Sequence, residues 1–428
     1  MKMYIYRTGT VLQPFGDDVS EAQVLLGTLA EAQQRACRRH GIELVRIDNP
    51  SQASERPCLL AADYLFFTEK ALGDFLEQAR RRTAGARLAL RRCASVEHTL
   101  PLQNVELDAW QESQGRALYD LWLLRQGELP AEAAAVRQTL REHCQPLALQ
   151  VREVVQRVRL PALDEKQRYF LYPFTSTVCC HLSHWVHLLW LAQLSLGISW
   201  NEYFRHHKTR AALKAIWAVL RRLSFNRWKV LSGMNRLGPD CNVHPTAYLE
   251  FSRLGRGVKV GAGACIRNSL IGDNVEIADH AVVLNSVVGH DCFLTDNFFL
   301  VSTLCYPGST LGNLKTQMAV IGRDVYLHGW CSLLDAKFVG DIKVVHRGQR
   351  VGTGRSFLAS CIGHRAVLGA KVLIHPGRQI PNDLLMVSRP EDVIATIPED
   401  IPPRVPMVRD RGTLVPLEQL RQHPREKG

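Results

Sequence analysis

A six-residue beat governs the second half of the chain. Leu254, Val260 and Ile266 stand six apart, and after a contraction of one residue Ile271, Ile277 and Val283 resume the count. A further contraction leads to Val288, Leu294 and Leu300, and the beat returns at Ile321, Leu327, Leu333 and Val339, then at Ile362, Leu368, Ile374 and Ile380. An internal repeat this short cannot bury an apolar face within one unit, so neighbouring units must stack. Branched aliphatic residues followed by Gly, Asp or Asn fit short strands joined by tight turns, three strands to a triangular coil. The aliphatic side chains then point inward, and GRG, GAG, GDN and GAK turn the corners. The prediction is a solenoid.

The first 160 residues have a different rhythm. Helical spacing over 21–39 is followed by IELVRI, then PCLLAADYLFF, then TEKALGDFLEQARRR and ARLAL. Alternating strand-like and helix-like segments predict an α/β domain with a mainly parallel sheet, with QNVEL and LQVREVVQRVRL as candidates for further strands. No GxGxxG or GxxxxGK loop lies near the first strand. Asp63, at the predicted end of LLAADY, is the candidate ligand for magnesium beside a diphosphate, against a local cap or turn role.

Between the two regions, TVCCHLSHWVHLLWLAQLSLGISW (177–200) is apolar, carries no formal charge and holds His181, His184 and His187. The expectation is a buried inter-domain helix with hydrogen-bonded histidines, a metal site, a polar stripe or a ligand-pocket edge being the alternatives. The next segment carries Lys or Arg at 205, 208, 210, 214, 221, 222, 227 and 229 among Ala, Ile, Trp, Val and Leu. Such a basic amphipathic helix either lies on an anionic membrane surface or covers the first domain with its charges outward. The divisions expected are an α/β domain at 1–164, a helical connector at 165–238, a solenoid at 239–390 and a tail at 391–428.

With 53 Lys plus Arg against 41 Asp plus Glu, the formal charge of +12 favours anionic partners. Nucleic acid is disfavoured, because the aromatic residues form no stacking array among the basic ones. Twelve cysteines without a CxxC pair fit a reducing cytoplasm, with the basic segment allowing a peripheral place at the membrane. MKMYIYRTGT lacks the apolar core of a signal peptide.

Residues 241–388 resemble the left-handed parallel β-helix of hexapeptide-repeat transferases. The resemblance extends to bifunctional sugar-1-phosphate nucleotidyltransferase/N-acetyltransferases, including the bacterial and archaeal acetylglucosamine-1-phosphate uridylyltransferases. The segment GDIKVVHRGQRVGTGRSFLASCIGHRAVLGAKVLIHPGRQIPND is similar to the archaeal type, where a loop precedes final coils ending in a PG turn. SVVGHDCFLTDNFF lies where those enzymes carry the acetyltransferase histidine, which implies His290 as general base. The chain departs from the family at MKMYIYRTGTVLQPF, which holds no glycine-rich nucleotide loop, and at YPGSTLGNLKT, where an ANLR-like acceptor segment is expected. The α/β part therefore reads as a degenerate nucleotidyltransferase-like domain.

The resemblance implies an acetyl-coenzyme A-dependent acyltransferase acting on a sugar or nucleotide-sugar acceptor, assembled as a homotrimer. Acyl transfer needs a base for the attacking group and donors for the oxyanion, and neutral histidine suits the first task near pH 7. His328, in YLHGW, is the alternative base, and His280, His364 and His375 occupy comparable turns. Asn297 or Asn313 would orient acceptor or donor, with a plain turn role as their competing reading. Arg350, in the basic 343–355 loop, would face phosphates of coenzyme A or a nucleotide sugar. Sugar-1-phosphate nucleotidyl transfer, with magnesium at Asp63, and a noncatalytic scaffold or membrane-surface role are the other expectations.

Overall fold

The computed structural model describes residues 1–112, 114–159, 169–209, 212–213, 231–312, 314–394 and 396–422. The six-residue beat becomes three parallel ladders. Two have eight strands each, running from Arg236–Leu237 to Gln379–Ile380 and from Asn242–Val243 to Leu385–Met386. The third has five, from Tyr248–Glu250 to Lys315–Gln317. These all-parallel ladders around one apolar core are consistent with a left-handed β-helix. Ile271, Ile277 and Val283 are buried inward and stack on Val288, Leu294 and Leu300 of the next coil.

The contraction in the repeat has a structural cause. At that corner a residue in the left-handed region, such as Asn268 (φ 50°) or Asn285 (φ 48°), turns the chain in fewer residues. Just beyond it, Ser252, Ser269, Ser286 and Thr303 form a buried ladder. The three serine hydroxyls each accept the backbone N–H of the counterpart 17 residues on, at 3.2 Å, and Thr303 Oγ1 accepts from Ala319 N at 3.3 Å. Val339 does not belong to the beat: it is 82% exposed. The coil breaks after Ser332–Leu333, and the chain makes an excursion with a hairpin, Lys343–His346 and Gln349–Gly352, before rejoining at Cys361–Ile362.

The first domain is built on a seven-stranded sheet. Lys2–Tyr6 lies between Glu43–Ile47 and Cys58–Ala62, parallel to both. Arg116–Leu124 then runs antiparallel between Cys58–Ala62 and Gly85–Arg91, and Cys144–Leu149 closes the far edge parallel to Gly85–Arg91. Six of the seven strands thus run the same way, as a mainly parallel sheet requires, and the nine-residue strand Arg116–Leu124 alone returns against them. QNVEL contributes the strand Glu106–Asp108, and LQVREVVQRVRL contributes Glu153–Arg159. Asp120, fully buried in the returning strand, accepts from Arg87 at 3.0 Å and from Arg137 and Tyr64. Burial pushes its carboxyl up, but His181 and the two guanidinium groups together outweigh that and hold it below the ordinary range.

The helix Trp185–His206 joins the two regions, as its apolar run predicts. Trp185, Leu188 and Leu189 share one core with outward residues of the first ladder, Leu270, Val287, Leu304 and Val320, and with Leu12, Phe15 and Val24 of the first domain. One of the three solenoid faces is therefore buried inside the chain. The three histidines do not share a helical side. His181 ends the strand Cys179–His181, His184 caps the helix and His187 completes a capping box with it. Burial depresses them to about 4, 4 and 3. Each is hydrogen-bonded, His187 for instance donating to Pro101 O at 3.0 Å. Most of the basic segment, including Arg210, Lys214, Arg221, Arg222, Arg227 and Lys229, lies outside the described residues. Among the described residues no helix is long and apolar enough to cross a membrane.

Candidate functional site

His290 sits at the corner that follows the first ladder, directly after Gly289. A Cβ on Gly289 would stand 2.6 Å from Pro307 N, so only glycine lets successive coils approach this closely. Along this corner, side chains accept backbone N–H groups from the coil before. Asp273 Oδ1 accepts from Arg256 N at 2.8 Å, His290 Nδ1 from Asp273 N at 2.8 Å, and His364 Nδ1 from Arg323 N at 2.8 Å. With Nδ1 accepting, the proton of a neutral ring resides on Nε2. His364 uses that proton on Asp17 Oδ2 at 3.0 Å. His290 instead faces a cavity of about 520 Å³ between the solenoid and the first domain.

The cavity walls come from both regions. Gln23, Thr28 and Glu31 belong to the first domain, with Thr28 capping the helix Leu29–Arg39 through a capping box with Glu31. Tyr306 and Arg323 belong to the solenoid. Tyr306 Oη accepts the Gln23 N–H at 2.9 Å, and burial raises the phenol well above its usual range. Gln23 Oε1 is buried without a hydrogen-bond partner, which leaves an acceptor unsatisfied beside the cavity. Arg323 is ion-paired with Asp17, so the cavity combines cationic, donor and acceptor groups.

The other sequence candidates are not gathered here. His328 and Asn297 lie at the corner after the second ladder, both exposed. His328 Nδ1 contacts Gly329 O at 3.1 Å, and Asn297 takes the left-handed φ of 59° that a turn requires. Asn313 lies outside the described residues. Arg350 is exposed on the hairpin. That hairpin reaches a second cavity of about 390 Å³, lined by Tyr64, His181, His184 and His346. His184 Nε2 donates to Val345 O there at 3.1 Å.

Asp63 immediately follows Cys58–Ala62, at the carboxyl end of the parallel strands, as expected. Its Oδ2 accepts from Thr8 N at 2.9 Å and its Oδ1 from Thr8 Oγ1 at 2.6 Å, so it fastens the loop after the first strand. Burial raises its carboxyl. A small cleft beside it also holds Arg7, Asp18 and Arg46. Among the described residues no group of three or more His, Cys, Asp or Glu is placed to hold a metal ion.

Sequence reading singles out His290 but misses Gln23, Tyr306 and Arg323. Arg323 stands two residues after Ile321 of the beat, as His290 does after Val288, and that shared position is the available signal; Tyr306 follows Cys305, which is off the aliphatic pattern. Gln23 carries no such mark. No family model and no curated protein matches the chain. One solved structure that matches is a hexapeptide transferase family protein from Anaplasma phagocytophilum. It is 12% identical, covering 36% of this chain and 75% of that one, with a TM-score of 0.20. The fold assignment above accordingly rests on the ladders themselves.

Proposed function

We propose that the chain is a hexapeptide-repeat transferase that moves an acyl group from acetyl-coenzyme A to a sugar or nucleotide-sugar acceptor in the cavity beside His290. The observation that carries this reading is the orientation of His290, whose Nδ1 is occupied and whose Nε2 remains for a ligand. In that tautomer the ring donates, so His290 serves as oxyanion donor rather than as the base. The acceptor heteroatom attacks the thioester carbonyl, Nε2–H stabilises the oxygen of the tetrahedral intermediate, and the C–S bond breaks. The acceptor's proton ends on the departing thiolate. Arg323 and Gln23 orient the acceptor. In the same reading the chain forms a homotrimer through the uncovered solenoid faces, where Phe293, Phe299 and Tyr326 are exposed.

Calorimetric titration with acetyl-coenzyme A, followed by acceptor screening with wild type and His290→Ala, tests this. Saturable binding with turnover that depends on His290 supports the reading. Absence of binding sinks it and shifts the weight to a scaffold role at an anionic membrane surface.

One observation favours a second reading. The chain leaves Lys2–Tyr6 towards Glu43–Ile47 on one side, while Cys58–Ala62 flanks it on the other, so Asp63 stands at a switch point of the sheet. A nucleotide or sugar phosphate fits that position, with Arg7 and Arg46 as its cationic partners. Asp63 is already committed to Thr8, and among the described residues it belongs to no group of three or more metal-ligating side chains, so no step in this reading runs through magnesium. Titration with UTP in the presence and absence of magnesium separates the two.

A further inference from the structure

Farther along the helix Leu29–Arg39 lies a cavity of about 190 Å³ lined by four arginines. Arg35 and Arg39 come from that helix, while Arg236 and Arg253 come from the first two rungs of the first ladder. Arg236 and Arg253 are direct Cα partners in adjacent parallel strands, a placement in which like charges repel. The rungs that follow carry Leu270, Val287, Leu304, Val320 and Cys361 in the same outward column, so the two arginines interrupt an apolar series.

None of these four arginines makes an ion pair with a described residue. Arg236 lies over the Tyr203 ring at 4.1 Å. Burial, together with Arg253, lowers its proton affinity, and burial together with Arg35 lowers that of Arg253. The two carboxylates of the cavity do not restore balance. Glu69 is taken by His206 at 2.9 Å and Arg205 at 3.6 Å, and burial pushes Glu202 up towards its neutral form. The connecting sequence supplies no counter-charge either, since residues 203–239 contain nine Lys or Arg and no Asp or Glu. Clustered guanidinium groups without carboxylate partners match the charge and fork geometry of phosphate oxygens.

We propose that this cavity binds a phosphate-bearing anion, with Arg35, Arg236 and Arg253 as its ligands. The site is separate from the cavity at His290, and its fate does not depend on the transferase reading. A phosphate group reaches it either on a soluble diphosphate or on a lipid headgroup, and the two sources are distinguishable.

The full chain is placed in phosphate-free buffer and titrated with inorganic pyrophosphate, following heat and melting temperature. In parallel, flotation is measured with phosphatidylcholine vesicles with and without phosphatidic acid. Binding is expected to weaken at least tenfold in Arg236→Gln and in Arg253→Gln. Arg253→Leu continues the apolar column, so it is expected to melt no lower than wild type without phosphate and to lose the response to it. A pyrophosphate response without flotation identifies a soluble ligand, and flotation with phosphatidic acid that Arg253→Leu abolishes identifies a headgroup. The proposal is overturned if neither probe binds, if binding survives both glutamine variants, or if Arg253→Leu lowers the melting temperature in phosphate-free buffer.

Discussion

Two corners of the same solenoid carry similar residues and differ in what lies over them. At the first, His290, Arg323 and His364 meet the first domain, where Asp17 pairs with Arg323 and His364 and Gln23 bonds to Tyr306 of the solenoid. At the second, Asp279 and Asp296 use the same trick, Asp279 Oδ1 accepting from Ala262 N at 2.7 Å and Asp296 Oδ1 from Asp279 N at 3.0 Å. There Asp296, Asn297 and His328 stay open to water. The corner geometry is generic to the coil, whereas a cavity arises only where another part of the chain covers it.

The hardest way to break this contrast is to place a charge under the cover. Val287→Asp buries an unpaired carboxylate against the helix Trp185–His206 and is expected to cost about 4 kcal/mol or more in chemical denaturation. Leu385→Asp, on the open ladder, is expected to stay within about 0.5 kcal/mol. Equal losses would mean that cover contributes nothing.

Once a turnover assay exists, the two histidines sharpen the contrast chemically. His290→Ala is expected to lower kcat by roughly 10²- to 10³-fold, the usual effect of losing an oxyanion donor, and His328→Ala to leave it unchanged. The reverse order would move the site to the open corner.

A smaller effect is expected from Tyr306→Phe. It removes the acceptor of the buried Gln23 N–H and should destabilise by about 1–3 kcal/mol, read as a lower denaturation midpoint. An unchanged midpoint would show that the junction bond carries no stability.

The smallest is a pH effect at Asp17. Burial pushes this carboxyl up, but His364 and Arg323 outweigh it and leave it below its ordinary 3.8. A depressed folded-state value means stability that is present above the unfolded value and lost as pH falls through the folded one. Asp17→Asn should therefore flatten the acid limb of the stability profile below about pH 4 and lower stability at neutral pH. A parallel shift with the same acid limb would exclude Asp17 as its source.

The contrast also marks where sequence reading stops. The inward rank from Leu254 to Ile380 is legible because each coil repeats the same steric demand. The excursion after Leu333 is not, and Val339 falls on the beat by coincidence of spacing. His290 and His328 look alike in sequence, since each stands within two residues of an aliphatic rung, Val288 and Leu327. What separates them is cover from residues more than 250 positions earlier, and no local pattern reports that. The triplet His181, His184 and His187 has helical spacing, yet its first member closes a strand and its second caps the helix.

The helix that binds the two regions has a consequence for synthesis. Its apolar residues leave the ribosome well before Leu270, Val287 and Leu304 exist to receive them, and Cys361 of the same core follows about 155 residues after the helix ends. At roughly 5–20 residues per second the last of that partner surface arrives some 8–30 s later. During that interval Trp185, Leu188 and Leu189 lack their solenoid partners, so the nascent chain presents an apolar stripe to chaperones until the coils close over it.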